Sequence, residues 1–280
     1  MKYLDHQAVL DLLPDRKNDT HKGHYGKILL LCGSKGYTGA AALACMGALR
    51  TGAGLVYLGV PECIYQIEAT KLTEPIIIPL PCDGKMLLDS AFNEIEKLLP
   101  NMDAVLMGPG MGCSAGTESV VCAVAEQFSG PLVLDADGIN VMNVHKDILR
   151  RRTGGTVLTP HQGEFLRFGG FVDNGRIEGA KALACQTGSI VLLKGHNSVI
   201  TDGEQVYINK TGNPGMATGG SGDVLAGIVV SLVGQHLNPL EAAACGAWLH
   251  GKAGDLCAES LGQYGMLPTD MLQVLPRLLK

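Results

Sequence analysis

Two kinds of apolar run alternate along this chain: short continuous ones, and longer ones built on alanine and leucine. Lys27–Cys32 is continuously apolar after its first residue and runs into Gly33 and Ser34, the profile of a strand buried on both faces. Gly39–Thr51 is rich in small apolar residues and has no internal proline, so it reads as a tightly packed helix. Gly52 and Gly54 end it, and Leu55–Val60 is a second strand, which completes a βαβ unit. The same alternation predicts strands at Pro75–Leu80, Ala104–Gly108, Pro131–Asp135, Thr156–Thr159 and Ile190–Lys194. Helices are predicted at Ala91–Leu99, Thr117–Phe128 and Ile177–Thr187. Prolines at both ends of Pro75–Leu80 place that strand at a sheet edge. Ser198–Thr201 and Gln205–Asn209 flank Asp202-Gly203, a hairpin turn. Helices at Val224–Val233, Leu240–Ser260 and from Pro268 close the chain. The first twenty residues are polar and read as a short helix and linker.

Strands alternating with helices imply an α/β architecture, a mainly parallel central sheet between helical layers. No linker, repeat or low-complexity segment divides the chain, so residues 1–280 read as one domain. Open α/β sheets bind ligands outside the carboxyl ends of their strands. The unusual residues stand at those ends: Gly33-Ser34, Gly108–Gly112, Asp135-Ala-Asp137, Thr159-Pro-His161, Lys194-Gly-His196 and the stretch that leads to Asp223.

Composition narrows the picture only at its margins. Hydrophobic residues at 46% and charged residues at 18% describe an ordinary folded core. A net charge of −5 gives no reason to expect nucleic acid or an anionic membrane as partner. The nine cysteines include no C-x-x-C pair, and most lie in apolar runs, so they read as small buried hydrophobes. Their odd number fits a reducing compartment. Without a signal-peptide core or a membrane-length apolar run, a soluble cytoplasmic protein is expected.

The chemistry gathers in Thr211–Gly227, where six of seventeen residues are glycine and the run enters an apolar helix. Glycines there leave no Cβ between backbone amides and an incoming ligand, and the helix N-terminus adds unpaired amides and a positive dipole end. This is an anion site, for phosphate. Asp223 beside such a cradle points to a proton acceptor for a nucleophile attacking phosphorus, although an aspartate there could also be a plain helix N-cap. Gly108-Pro-Gly110-Met-Gly112 suggests close backbone approach to a ligand. Of Asp135 and Asp137, one is expected to cap the next helix and the other could reach a metal through water. His161 is expected to contact substrate and Glu164 to stand near a hydrated Mg²⁺; the competing reading is a surface histidine with a first-turn glutamate. Lys194 at a strand end could meet a phosphate, or be a solvated charge. His250, in an alanine-rich helix, reads as structural. The G-x-G-x-x-G fingerprint is not matched after the first strand, where Gly33-Ser-Lys-Gly36 stands, which disfavours a dinucleotide-binding dehydrogenase.

Taken together, Lys22–Gly26, Gly39-Ala-Ala, Ala48–Gly54, Gly108–Gly110, Leu134–Ala136, Leu158–Glu164, Leu193–Gly195 and Asn213-Pro-Gly with Gly219–Asp223 occur in an order that resembles the ATP/ADP-dependent NAD(P)H-hydrate dehydratases of the ribokinase-like superfamily. The resemblance runs from about Lys22 to the end of the chain. It implies a ribokinase-like three-layer αβα sandwich, usually tetrameric. It implies repair of hydrated NADH or NADPH, in which the S epimer is dehydrated at C6 at the expense of ADP or ATP, with Mg²⁺. By position, Asp223 would deprotonate the C6 hydroxyl, and Gly219, Gly220, Ser221 and Gly222 would stabilise the transferring phosphoryl group. Lys194, Gly195, His196, Asn197 and Ser198, with Gly219 and Gly222, would hold the adenine nucleotide. Ala40, Gly110 and His161, with Asp223, would line the hydrate pocket. The departure from the usual pattern is Gln162, where many relatives carry proline after the histidine. Many members carry a fused epimerase; none is expected within this chain, so a separate epimerase is. A vitamin-precursor kinase of the same fold, and a nucleotide-sensing binding protein without turnover, are the competing readings.

Overall fold

The computed structural model describes all 280 residues. The strands are β1 Lys27–Leu31, β2 Leu55–Pro61, β3 Ile76–Leu80, β4 Ala104–Met107, β5 Leu132–Leu134, β6 Thr156–Leu158, β7 Ile190–Leu193, β8 Ser198–Thr201 and β9 Val206–Asn209. The helices are α1 His6–Leu12, α2 Thr38–Arg50, α3 Glu62–Lys71, α4 Phe92–Glu96, α5 Ala115–Gln127, α6 Asp137–Met142, α7 Lys146–Arg151, α8 Gln162–Arg167, α9 Arg176–Thr187, α10 Ser221–Gly234, α11 Pro239–Leu261 and α12 Pro268–Val274. All nine strands form one sheet in the order β3-β2-β1-β4-β5-β6-β7-β8-β9. Strands β1 to β7 run parallel, and β8 and β9 pair antiparallel as the expected hairpin. The proline-bounded strand β3 lies at the edge, where its missing amides break no ladder.

The apolar run of β1 is explained by what covers it. Ile28 and Leu30 enter the core beneath α2, α10, α11 and α12, while Leu29 and Leu31 enter the core beneath α5 to α9, as the alternation of side chains along a strand requires. Both faces are therefore dry. The chain order reverses between β1 and β4, and that switch point opens the crevice in which ligands bind.

Helices α2 and α10 approach closely. A Cβ added to Gly47 would stand 2.6 Å from the carbonyl oxygen of Val224, and one on Gly227 would stand 2.0 Å from that of Ala44. Ala41, Ala44, Gly47 and Ala48 of α2 are thus used inside the chain, and every residue from Ala242 to Trp248 in α11 is likewise buried within it. The cysteines need correction. Cys32, Cys45, Cys245 and Cys257 are buried, but Cys63, Cys113 and Cys185 are exposed; Cys185 lies on the solvent side of α9.

Helix α3 was not predicted, because it starts directly after β2 without a loop and buries only Ile64 and Glu68. Helices α6, α7 and α8 span six residues each, too few to show a period. No helix is long and apolar enough to cross a membrane.

Candidate active site

The switch-point loops are tied to each other by backbone. The Gly33 amide donates to the Pro109 carbonyl at 2.7 Å, and the Ser34 hydroxyl donates to the Gly110 carbonyl at 2.7 Å. Gly110 has φ +66°, and a Cβ there would lie 2.9 Å from the Cβ atoms of both Ala40 and Tyr37. Ala40 and Gly110 therefore meet.

The glycine-rich stretch is held from below before it turns into α10. Asp255 of α11 accepts from the Gly212 amide at 3.1 Å and from the Asn213 side chain at 3.2 Å. Gly220, with φ +95°, occupies the N-cap of α10 and offers no side chain to the first-turn amides; the Ser221 amide donates to the Thr218 carbonyl at 3.4 Å, while those of Gly222 and Asp223 stay free for an anion. The buried His250 ring holds this turn through Nε2, which donates to the Ser221 carbonyl at 2.8 Å. Burial pushes His250 down to about 4, so it is a neutral structural donor.

Asp223 is the third residue of α10, and its carboxylate accepts no hydrogen bond. The N-cap reading of Asp223 fails on that geometry. Burial, and then the nearby Asp135 carboxylate, raise its pKa from 3.8 to about 6, against a lowering by Lys194. A carboxylate so placed is half-way to a physiological proton acceptor.

Beside it lies a buried ion pair. Lys194, just past β7, donates to Asp135 Oδ1 at 2.7 Å, and the Thr159 hydroxyl donates to the same oxygen at 2.7 Å. The Asp135 side chain is 2% exposed. Burial pushes the Lys194 ammonium down, but Asp135 and Glu164 outweigh it, and the net pKa stands above the ordinary lysine value. Lys194 is thus not a solvated charge. A Cβ on Gly222 would meet its Nζ at 3.2 Å, which places the ammonium against the first turn of α10. Between the two aspartates, Ala136 has φ +46° and ψ −116°, a strained backbone for a residue with a side chain, worth on the order of 1–3 kcal/mol. Asp137 caps nothing in α6; its Oδ2 accepts from the Gly112 amide at 2.8 Å and so fixes the glycine loop.

His161 and Glu164 form a reciprocal capping box on α8. His161 Nδ1 accepts from the Gly163 and Glu164 amides, while Glu164 Oε2 accepts from the His161 amide at 2.8 Å. Glu164 is largely buried, with Oε2 3.9 Å from Lys194. No three histidine, cysteine, aspartate or glutamate side chains converge in a way that could cage a metal. This sparse donor set fits a hydrated Mg²⁺, which leans on one or two carboxylates and on substrate phosphates.

A cleft of about 950 Å³ runs along these elements. It is lined by His161, by Lys194 to Ser198, and by Gly219, Ser221 and Gly222. Ala40, Gly110 and Asp223 do not line it; Ala40 and Gly110 meet beside the β1–β4 switch point. Sequence reasoning missed Arg176 in the cleft wall and Asp255, and gave Thr159 no role beyond its place at a strand end. No local motif marks them, because each acts across a large sequence separation.

The chain matches the family model described as NAD(P)H-hydrate dehydratase over residues 28–277. It is 42% identical over 275 residues to the bifunctional NAD(P)H-hydrate repair enzyme Nnr of Moorella thermoacetica, covering 96% of this chain and 52% of that protein. The corresponding enzyme of Thermofilum pendens is 37% identical, again with 96% and 52% covered. The chain therefore spans about half the length of the curated relatives it matches. Among solved structures, the ADP/ATP-dependent NAD(P)H-hydrate dehydratase of Bacillus subtilis, co-crystallised with ATP and Mg²⁺, superposes with TM-score 0.83 at 29% identity, covering 98% of this chain and 96% of that one. A ribokinase-like superfamily protein of Enterococcus faecalis superposes with TM-score 0.88 at 26% identity, covering 99% and 95%.

Proposed function

The chain belongs to the NAD(P)H-hydrate dehydratase family, and from that premise we propose that it restores NADH or NADPH from the S epimer of the hydrated cofactor, with ADP or ATP as co-substrate. The observation that carries this reading is the uncommitted carboxylate of Asp223, raised to about 6, in the first turn of a helix whose leading amides are uncapped. Hydroxide is a poor leaving group; its phosphate ester is a good one. Asp223 accepts the proton of the C6 hydroxyl as that oxygen attacks the terminal phosphorus of the nucleotide. The amides from Gly219 to Gly222 take up the charge that develops on the transferring group, the usual source of catalysis in phosphoryl transfer. The ring nitrogen lone pair then expels phosphate from C6 to leave an N1=C6 iminium, and loss of a C5 proton to water or the released phosphate restores the C5=C6 double bond. Ala40, Gly110 and His161 hold the hydrate, and Lys194 to Ser198 with Gly219 and Gly222 hold the nucleotide. Mg²⁺, when bound, would neutralise phosphate charge, held by the nucleotide and, through water, by Glu164.

Incubating the protein with hydrated NADH and ADP or ATP tests the assignment. Recovery of NADH absorbance together with stoichiometric phosphate release is expected. A stable phosphorylated product would make it a kinase of the same fold, and nucleotide binding without turnover a sensing protein.

The reading extends to a homotetramer. Leu261, Tyr264 and Leu267 are exposed where α11 passes to α12, Tyr264 and Leu267 sharing one surface depression with the glycine-rich stretch, and large exposed apolar residues in one place favour association. Light scattering should give four times the 29.4 kDa chain mass; a lone 29.4 kDa species at micromolar concentration would rule the tetramer out.

A further inference from the structure

The loop from β7 to β8 owes its shape to one side chain outside it. Arg176, the first residue of α9, donates through Nη1 to the His196 carbonyl at 2.6 Å, and through Nη2 to the Lys194 carbonyl at 2.8 Å and the Leu193 carbonyl at 3.1 Å. Its Nε is buried without a partner, so the guanidinium is spent on the loop rather than satisfied all round. Gly195 has φ +141°, and a Cβ there would strike Arg176 Nη2 at 2.8 Å; only glycine lets the chain pass this close to the fork.

The planar trans peptide converts this into a direction. In each peptide unit the N–H points opposite to the carbonyl that precedes it. The Lys194 and His196 carbonyls point at Arg176, so the Gly195 and Asn197 amides point away from it. Both residues line the cleft, and neither amide donates a hydrogen bond within the protein. Asn197 adopts φ +52°, and alternation of ordinary and left-handed residues is how backbone amides are made to converge on an anion. The Gly195 carbonyl is occupied within the loop, where it accepts from the Ser198 hydroxyl at 2.9 Å.

We propose that Arg176 is a positioning residue which, by drawing the carbonyls of Lys194 and His196 to itself, presents the Gly195 and Asn197 amides to the nucleotide phosphates. This rests on the nucleotide-binding reading above. Arg176 also borders the cleft, but Nη1 and Nη2 are spent on the loop carbonyls, and its fork fixes geometry that a lysine, a point charge, cannot reproduce.

Calorimetric titration with ADP, and separately with adenosine, tests this on the wild-type protein and on Arg176→Lys and Arg176→Ala. Circular dichroism and thermal midpoints identify the variant that keeps its fold. Each amide-to-phosphate hydrogen bond is charge-assisted, so ADP affinity should fall roughly 10-fold or more in both variants. Adenosine affinity should stay within about 2-fold, since it has no phosphate to lose. In turnover, KM for ADP should rise while kcat at saturating ADP is kept, a split that general destabilisation does not give. Unchanged ADP affinity in a folded variant overturns the proposal. An equal loss for ADP and adenosine also overturns it, because the loop would then hold the nucleoside. If the wild-type protein binds no adenine nucleotide, the functional reading itself falls, and this inference with it.

Discussion

Asp223→Asn should fold, bind ADP or ATP as before, and lose at least about 10²-fold in kcat, the lower end of what a general base contributes. Asparagine keeps the size and hydrogen-bonding capacity of aspartate but cannot take a proton. Were Asp223 a helix cap, asparagine would replace it with little effect, but Gly220 holds that position and the Asp223 carboxylate bonds to nothing. The pH dependence supplies a second readout. Asp223 must be ionised to accept a proton, and its pKa is raised to about 6 by burial and by Asp135. Wild-type kcat/KM should therefore fall about tenfold per pH unit as pH drops below about 6, and Asp223→Asn should lose this acid limb. The linkage has a definite sign. A carboxyl whose folded pKa lies above its unfolded value destabilises the fold when ionised, above about pH 6, and this penalty disappears as pH falls toward 3.8. The thermal midpoint of Asp223→Asn at pH 7 should therefore not lie below that of the wild type. Near-normal kcat in the folded variant would end the catalytic assignment.

Lys194→Ala should act on stability and on nucleotide binding together. Removing the ammonium leaves Asp135, with 2% of its side chain exposed, as an uncompensated buried carboxylate. Breaking such a pair from one side costs about 3–5 kcal/mol, measurable by urea unfolding. The nucleotide KM should rise by roughly 10-fold or more, the loss of one charged hydrogen bond. Lys194 also lowers the pKa of Asp223, so the acid limb of kcat/KM should move to higher pH. The double variant Lys194→Met with Asp135→Asn separates the effects. It removes both charges, so it should recover most of the lost stability without restoring the nucleotide KM. Stability unchanged in Lys194→Ala would mean that the pair with Asp135 contributes nothing. An unchanged nucleotide KM would mean that Lys194 serves Asp135 alone.

What could be read from the sequence alone was whatever depends on neighbours along the chain. Lys27–Cys32 had to be a doubly covered strand because every position after its first is apolar, and Thr211–Gly227 had to be an anion turn leading into a helix because glycine and an apolar run stand side by side. The edge position of Pro75–Leu80 followed from prolines, and the β8–β9 hairpin from Asp202-Gly203. The family was legible as the order of such short pieces. Tertiary structure decided what depends on residues far apart. Asp135 and Lys194 are each readable as a charged residue at a strand end, but their pairing follows from the adjacency of β5, β6 and β7. That pairing turns a lysine that could have been solvated into a buried partner, and it sets two opposed charges, Asp135 raising and Lys194 lowering, on the burial-raised pKa of Asp223 on a third element. The packing of α9 on β7 and β8 brings Arg176 under the β7–β8 loop, and the pairing of β1 with β4 brings Ala40 against Gly110. Burial and charge–charge interaction depend on distance in space, and sequence fixes distance only over the few residues that share one helix, strand or turn.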